Sequence, residues 1–264
     1  MATTWDPSLV SDELLELTRL LGEPSRDLAI LAEGNTSELL PDGRLVVKAS
    51  GANLAGSTKD DFVLVDVDEV MALVDDPAAT QGDLTDVLVA QGVVRPDGSP
   101  RRGSIETLVH ATVARLARQV GGTRFVGHTH PTDVVGLLAS VHAADAWTHL
   151  VYSDEAVVIG HPLFVPYATP GIDLGRLYDE RLRRYVDERG RLPQLVLLGN
   201  HGIVALAPTA PGVEAVSMMA VKGARVRATA LAIGGLAPLS AADVAKFFAR
   251  DDVAERRVNL ARGR

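Results

Sequence analysis

Residues 104–131 read SIETLVHATVARLARQVGGTRFVGHTHP, and within this run the pattern passes from one kind of secondary structure to another. The segment SIETLVHATVARLARQV predicts a helix with Ser104 as its N-cap, since a hydroxyl there can accept a free N–H of the first turn. Gly121 and Gly122 follow it, and RFVGHTH then predicts a strand. Side chains two apart on a strand share a face, so His128 and His130 project together while Thr129 points away. Pro131 cannot continue a hydrogen-bonded ladder, which puts the pair at the end of the strand, where α/β sheets tend to meet their ligands.

Working outward, the same alternation recurs. Leucines at 14, 15, 17, 20 and 21 predict an amphipathic helix over 10–21, ended by Gly22 and Pro24. EGNTSELLPDGRLVVKASGANLAG carries a Pro-Asp-Gly turn between two apolar runs and predicts a β-hairpin. DFVLVDVDEV predicts a strand running into a helix near 70–74, and RPDGSPRRGS at 95–104 reads as an exposed loop. In the later half, YDERLRRYVDERG reads as a helix and QLVLLGNHGIVAL as two strands about a turn. A long helix follows from Pro211 to about Ile233, then a last one over 241–250 and a charged tail expected to be loose. With no repeat, low-complexity tract or linker, the chain reads as one α/β domain with helices covering a mixed sheet.

Composition narrows the chemistry. Hydrophobic residues at 47% and charged residues at 23% match globular usage, and no apolar run is long enough to span a membrane. The first residues, MATTWDPSLVSDELLEL, lack a basic-then-apolar leader, so the expected compartment is the cytoplasm. A net charge of −8 without a Lys/Arg run argues against nucleic-acid or anionic-membrane partners. With no cysteine, a metal must be held by His, Asp or Glu, and covalent catalysis by thiol is excluded.

Each candidate site residue has a plain alternative. The HxH pair could be hydrogen-bonded structural histidines or two metal ligands. His201, at the tip of LLGNHGIVAL, could be a turn residue or a third ligand; three histidines with one open position suit a catalytic zinc. Glu106 could simply favour the helix macrodipole or act as a base beside the metal. His110, one turn on, reads as a packing histidine. GNTS at 34–37 and KASG at 48–51 are ordinary turns or, with their backbone N–H groups, a cradle for phosphate. Lys48 is a solvated strand-edge lysine or a mobile positive charge for phosphate or carboxylate.

In order, GNTS, KASG, DFVLVD, SIE before a helix, HTHP and NHG resemble the class II aldolase/adducin family over about residues 10–235. The resemblance implies a single three-layer α/β/α domain over residues 1–264, with a mixed, largely antiparallel central sheet and a C-terminal helix and tail at 236–264. It implies a homotetramer with active sites between subunits. It makes His128, His130 and His201 ligands of Zn²⁺ or another divalent metal and Glu106 the catalytic acid/base. Gly34, Asn35, Ser50, Gly51 and Ser104 would bind the phosphate of a small-molecule sugar phosphate, with Lys48 beside them. The implied function is that of a lyase, an aldolase cleaving a ketose phosphate to dihydroxyacetone phosphate and an aldehyde through an enediolate. Alternatives within the family are a decarboxylase of an oxo-sugar-acid phosphate, an epimerase and a dehydratase; a non-enzymatic adducin-like interaction module is a further one. Two departures stand out. Ile105 replaces a second serine found before the glutamate in fuculose-type aldolases, and Lys48 replaces a neutral residue, which suggests that the anion is held differently.

Overall fold

The computed structural model of the chain describes residues 2–261. Strand β1 (Thr3–Thr4) precedes helix α1 (Asp12–Leu21), which begins where the Ser11 hydroxyl accepts the Leu14 N–H at 3.0 Å and ends at Gly22. The hairpin is formed by β2 (Asn35–Leu39) and β3 (Leu45–Lys48), turning through Gly43 at φ 88°. Strand β4 (Phe62–Val65) runs into α2 (Val67–Asp75), capped by the Asp66 carboxylate. Next come α3 (Gln81–Val87), β5 (Val89–Val94), β6 (Pro100–Arg102), α4 (Thr107–Val120) and β7 (Phe125–Thr129). They are followed by α5 (Thr132–Leu138), α6 (Ser153–Val158), β8 (Leu163–Val165), α7 (Ile172–Arg189), β9 (Leu195–Leu198) and β10 (Gly202–Ala207). Helices α8 (Ala210–Ala232), α9 (Ala241–Phe248) and α10 (Asp251–Ala261) complete the described residues.

Eight strands form one sheet in the order β1-β4-β3-β2-β7-β10-β9-β8, antiparallel at every pairing except β8 with β9. Because alternate residues of a strand face opposite sides, the sheet supplies two apolar faces and needs a helical layer on each. On one face Val46, Phe62, Leu64, Phe125, Leu197 and Ile203 pack with Leu14 and Leu17 of α1, Val134 of α5 and Val213 of α8. On the other, Val47, Val63 and Val65 meet Val70 of α2 and Leu108 of α4. There too Val126, Val196 and Val204 meet Val113 of α4 and Tyr178 of α7. The α/β class, the three layers and the largely antiparallel sheet agree with the sequence reading.

Three readings need correction. The stretch 95–104 is not an open loop: β5 and β6 pair as a separate two-stranded ribbon, stitched to the main sheet's rim where the Ser50 N–H donates to the Arg102 carbonyl at 2.9 Å. The N-cap of α4 is Glu106, not Ser104; a turn over 104–107, closed by the Thr107 N–H on the Ser104 carbonyl at 2.9 Å, comes first. The charged tail is helical as far as Ala261. It is docked by buried Val253 and by Arg256 with Asp154 at 2.9 Å, because the apolar side chain and the opposite charges have partners waiting on the body. Residues 262–264 of that tail lie outside the described residues. No helix among the described residues is long and apolar enough to cross a membrane.

Candidate metal centre

Strand pairing explains why four distant side chains converge. β10 lies next to β7 with Ile203 opposite Thr129, so the turn just before β10 arrives beside the end of β7. Asn200 in that turn adopts φ 53°, a left-handed conformation that asparagine tolerates, and His201 follows it. Gly202 then presses on the Thr129 carbonyl, where a Cβ would come within 2.5 Å, so only glycine lets the two backbones approach this closely. β2 pairs with the other side of β7, Asn35 opposite His128. Glu106 opens α4, which packs across this face of the sheet.

One donor atom each from Glu106, His128, His130 and His201 lie within 4.8 Å of one another. The Nε2 atoms of His128 and His130 are 3.0 Å apart, Glu106 Oε2 is 3.2 Å from His128 Nε2, and Glu106 Oε1 is 2.8 Å from His201 Nε2. Ligands about 2.0–2.1 Å from a tetrahedral cation stand roughly 3.3 Å from each other, so this spacing fits such an ion. The outer edges are held as well. His128 Nδ1 donates to the Ile203 carbonyl at 2.8 Å, which leaves the Nε2 lone pair facing inward. Behind His130, Glu33 Oε2 lies 3.7 Å from Nδ1, while the His130 backbone N–H donates to the Leu28 carbonyl at 2.8 Å.

The electrostatics follow from crowding. Burial opposes charge on the Glu106 carboxyl, but His128 and His201 outweigh it and hold the group well below the usual carboxylate range. Burial likewise disfavours protonated His128, yet Glu106 and the Ile203 carbonyl raise its affinity for a proton. His130 is pushed down to about 3 by burial and by its two neighbouring rings. Glu106 thus draws a proton toward His128 while His130 is kept neutral, and a divalent cation could take that proton's place.

Glu106 is supported from behind by Asn35, which the resemblance placed at the phosphate, and by His110 and Ser37. Asn35 Nδ2 donates to Glu106 Oε2 at 2.9 Å and to Ser104 Oγ at 3.3 Å, while its Oδ1 faces His110 Nε2. The other nitrogen of His110 lies 2.7 Å from Ser37 Oγ. His110, fully buried, is depressed to about 3 by burial and by His128, and stays neutral. It is the core histidine the sequence suggested, but a hydrogen-bonded one. The available signal was the period of two in NTS: Asn35 and Ser37 share a face, and a buried polar pair on a strand needs partners.

The remaining predicted residues are placed as follows. Gly34, at φ 71°, is buried against the His128 carbonyl, where a Cβ would come within 2.7 Å. Ser50 and Gly51 lie in the partly exposed loop after β3, and Ser104 lies beside Glu106. Lys48 differs from expectation. It is 1% exposed rather than mobile, and its Nζ donates to the carbonyls of Ala49, at 3.3 Å, and Ala52. Burial, with Arg95 nearby, pulls its pKa down to about 8 against the pull of Asp61 and Glu106.

A model of the class II aldolase and adducin N-terminal domain matches residues 12–226. The chain belongs to the class II aldolase and adducin family. Three solved structures of this family's fold show how far the likeness extends. The N-terminal class II aldolase domain of a conserved protein from Thermoplasma acidophilum is 23% identical, with a TM-score of 0.60 over 81% of this chain and 92% of that one. YgbL from Klebsiella pneumoniae is 20% identical, with a TM-score of 0.62 over 91% and 98%. L-fuculose 1-phosphate aldolase from Glaciozyma antarctica is 14% identical, with a TM-score of 0.60 over 94% and 85%. At these identities the class II aldolase likeness is one of fold. Comparison with curated protein sequences gives no match.

Proposed function

We propose that this protein is a metal-dependent aldolase that cleaves a ketose phosphate to dihydroxyacetone phosphate and an aldehyde. The observation that carries the reading is the convergence of three imidazoles and one carboxylate within 4.8 Å. His128, His130 and His201 would hold the cation; three imidazoles with an open position suit zinc, and other divalent ions are compatible. When bound, such an ion supplies a Lewis acid that stabilises negative charge on substrate oxygens. Glu106 then moves the proton to and from the carbon at which the C–C bond breaks. Asn35 holds the Glu106 carboxylate through the 2.9 Å hydrogen bond, and His110 with Ser37 holds Asn35, so the acid/base is oriented before substrate arrives.

In this reading the anionic end of the substrate lies along Ser50, Gly51 and Ser104. Lys48 shapes the loop from beneath, Asn35 serves Glu106, and Gly34 gives His128 room. Homotetrameric assembly in the cytoplasm is part of the same proposal. Exposed Ile30 (60%) and Leu31 (80%), near the pocket mouth that Glu33, His130 and His201 line, suit contact with a second subunit.

A decarboxylase of an oxo-sugar-acid phosphate is the second reading, since loss of carbon dioxide leaves the same kind of charge for the site to stabilise. YgbL from Klebsiella pneumoniae carries aldolase, epimerase and decarboxylase as alternatives in its own description. A purely adducin-like interaction module has no use for four converging donors. To separate these, the metal-loaded protein is incubated with ketose phosphates and with oxo-acid phosphates. Aldehyde supports the aldolase, carbon dioxide the decarboxylase, and neither product removes both. Glu106→Gln should keep its metal and lose about 10²–10⁴ in turnover; undiminished turnover would take Glu106 out of the reaction.

A further inference from the structure

Arg95, at the tip of the β5–β6 ribbon, has its guanidinium against Gly51. A Cβ on Gly51 would come within 2.9 Å of Arg95 Nη1, so the guanidinium lies directly over this backbone, and Gly51 adopts φ 80°, a conformation that calls for glycine there. The contact is built rather than incidental. The ribbon is fastened to this loop by the Ser50 N–H on the Arg102 carbonyl at 2.9 Å and by a bridge between Ala49 and Gly103. Beneath the same loop lies Lys48, whose ammonium gathers the Ala49 and Ala52 carbonyls. With those carbonyls drawn to Lys48, the N–H groups of Gly51 and Ala52 have no acceptor among the described residues.

Two cations and two free N–H groups therefore share one short loop. Arg95 helps to lower the Asp97 carboxyl in the ribbon turn and Asp61 favours the charge on Lys48, but among the described residues no carboxylate forms an ion pair with Arg95. Bringing like charges together costs free energy unless an anion joins them. A guanidinium offers two parallel N–H donors, which match the oxygens of a phosphate.

We propose that Arg95, with the Gly51 and Ala52 N–H groups, forms the subsite that selects a phosphomonoester at the anionic end of the substrate. This rests on the aldolase reading for its place in the reaction, but the subsite itself can be tested apart from turnover. The departures noted in the sequence then have a physical account. Ile105 removes one hydroxyl from the anion's surroundings, and Arg95, from a different element, supplies donors and charge instead.

The test is a calorimetric titration of the full-length protein with inorganic phosphate, with and without chelator, and with acetate as a monoanionic control. Arg95→Gln should weaken phosphate binding about tenfold, Arg95→Lys should fall between, and Arg250→Gln, on the distant surface, should match wild type. For a phosphorylated substrate, Arg95→Gln should raise KM far more than it lowers kcat. Phosphate binding equal in wild type and Arg95→Gln, no phosphate binding by the wild type, or acetate bound as tightly as phosphate would each overturn the proposal. Should phosphate binding depend on Arg95 while neither aldehyde nor carbon dioxide is released, the aldolase reading fails and the subsite stands.

Discussion

His110 shows how much a single buried group can govern. It touches no donor of the metal cluster directly, yet its ring fixes Asn35, and Asn35 fixes Glu106. Its pKa in the fold is about 3, against an ordinary value near 6.5, because burial and His128 both oppose its charge. The sign of the linkage follows. Below pH 6.5 the unfolded chain takes up a proton that the folded one refuses, so this contribution to stability is intact above pH 6.5 and is lost as pH falls toward 3. Between pH 7 and pH 5 it amounts to about 2 kcal/mol. Urea unfolding of wild type should therefore weaken over that interval by about this much more than unfolding of His110→Gln. Parallel pH dependence in the two proteins would show that His110 is not held neutral.

Among the elements, β7 carries the centre and is buried along its whole length. Gly127, between the buried Val126 and His128, faces α1 and α8, and a Cβ there would come within 2.7 Å of Val213 and 2.8 Å of Leu21. Gly127→Ala should therefore cost about 1–3 kcal/mol in urea unfolding, with metal content per folded chain retained. An unchanged unfolding midpoint would mean that the two helices yield easily. Most of this layer was legible in the sequence, since α1, the hairpin, α4, β7, the NHG turn and α8 each announce themselves by period, cap or turn residue. What escaped were short elements. α3, α5 and α6 have at most seven residues each, too few for a period to stand out, and the β5–β6 ribbon lies in a Pro, Gly and Arg-rich stretch whose composition reads as loop. Among the described residues the ribbon pairs with itself and with the loop after β3, so its strands depend on contacts that local pattern cannot reveal.

At the scale of the whole molecule, the site exists because sheet order brings β2, β7 and β10 side by side, so residues 35, 128 and 201 meet although they are far apart in sequence. The ligand candidates could be named from spacing and resemblance. The hydrogen bonds behind Glu106 could not, because Asn35, His110 and Ser37 acquire these roles only once β2 and α4 face each other. The same holds for Lys48, whose burial depends on the fold of the loop above it. The central claim is that one divalent cation is held jointly by His128, His130 and His201. Elemental analysis of protein purified without chelator, then supplied with zinc and desalted, tests it directly. About one ion per chain is predicted for wild type and less than roughly a tenth of that for His201→Ala, whose remaining two imidazoles cannot complete the set. A metal-free wild type, or a His201→Ala variant that keeps a full equivalent, would contradict the account.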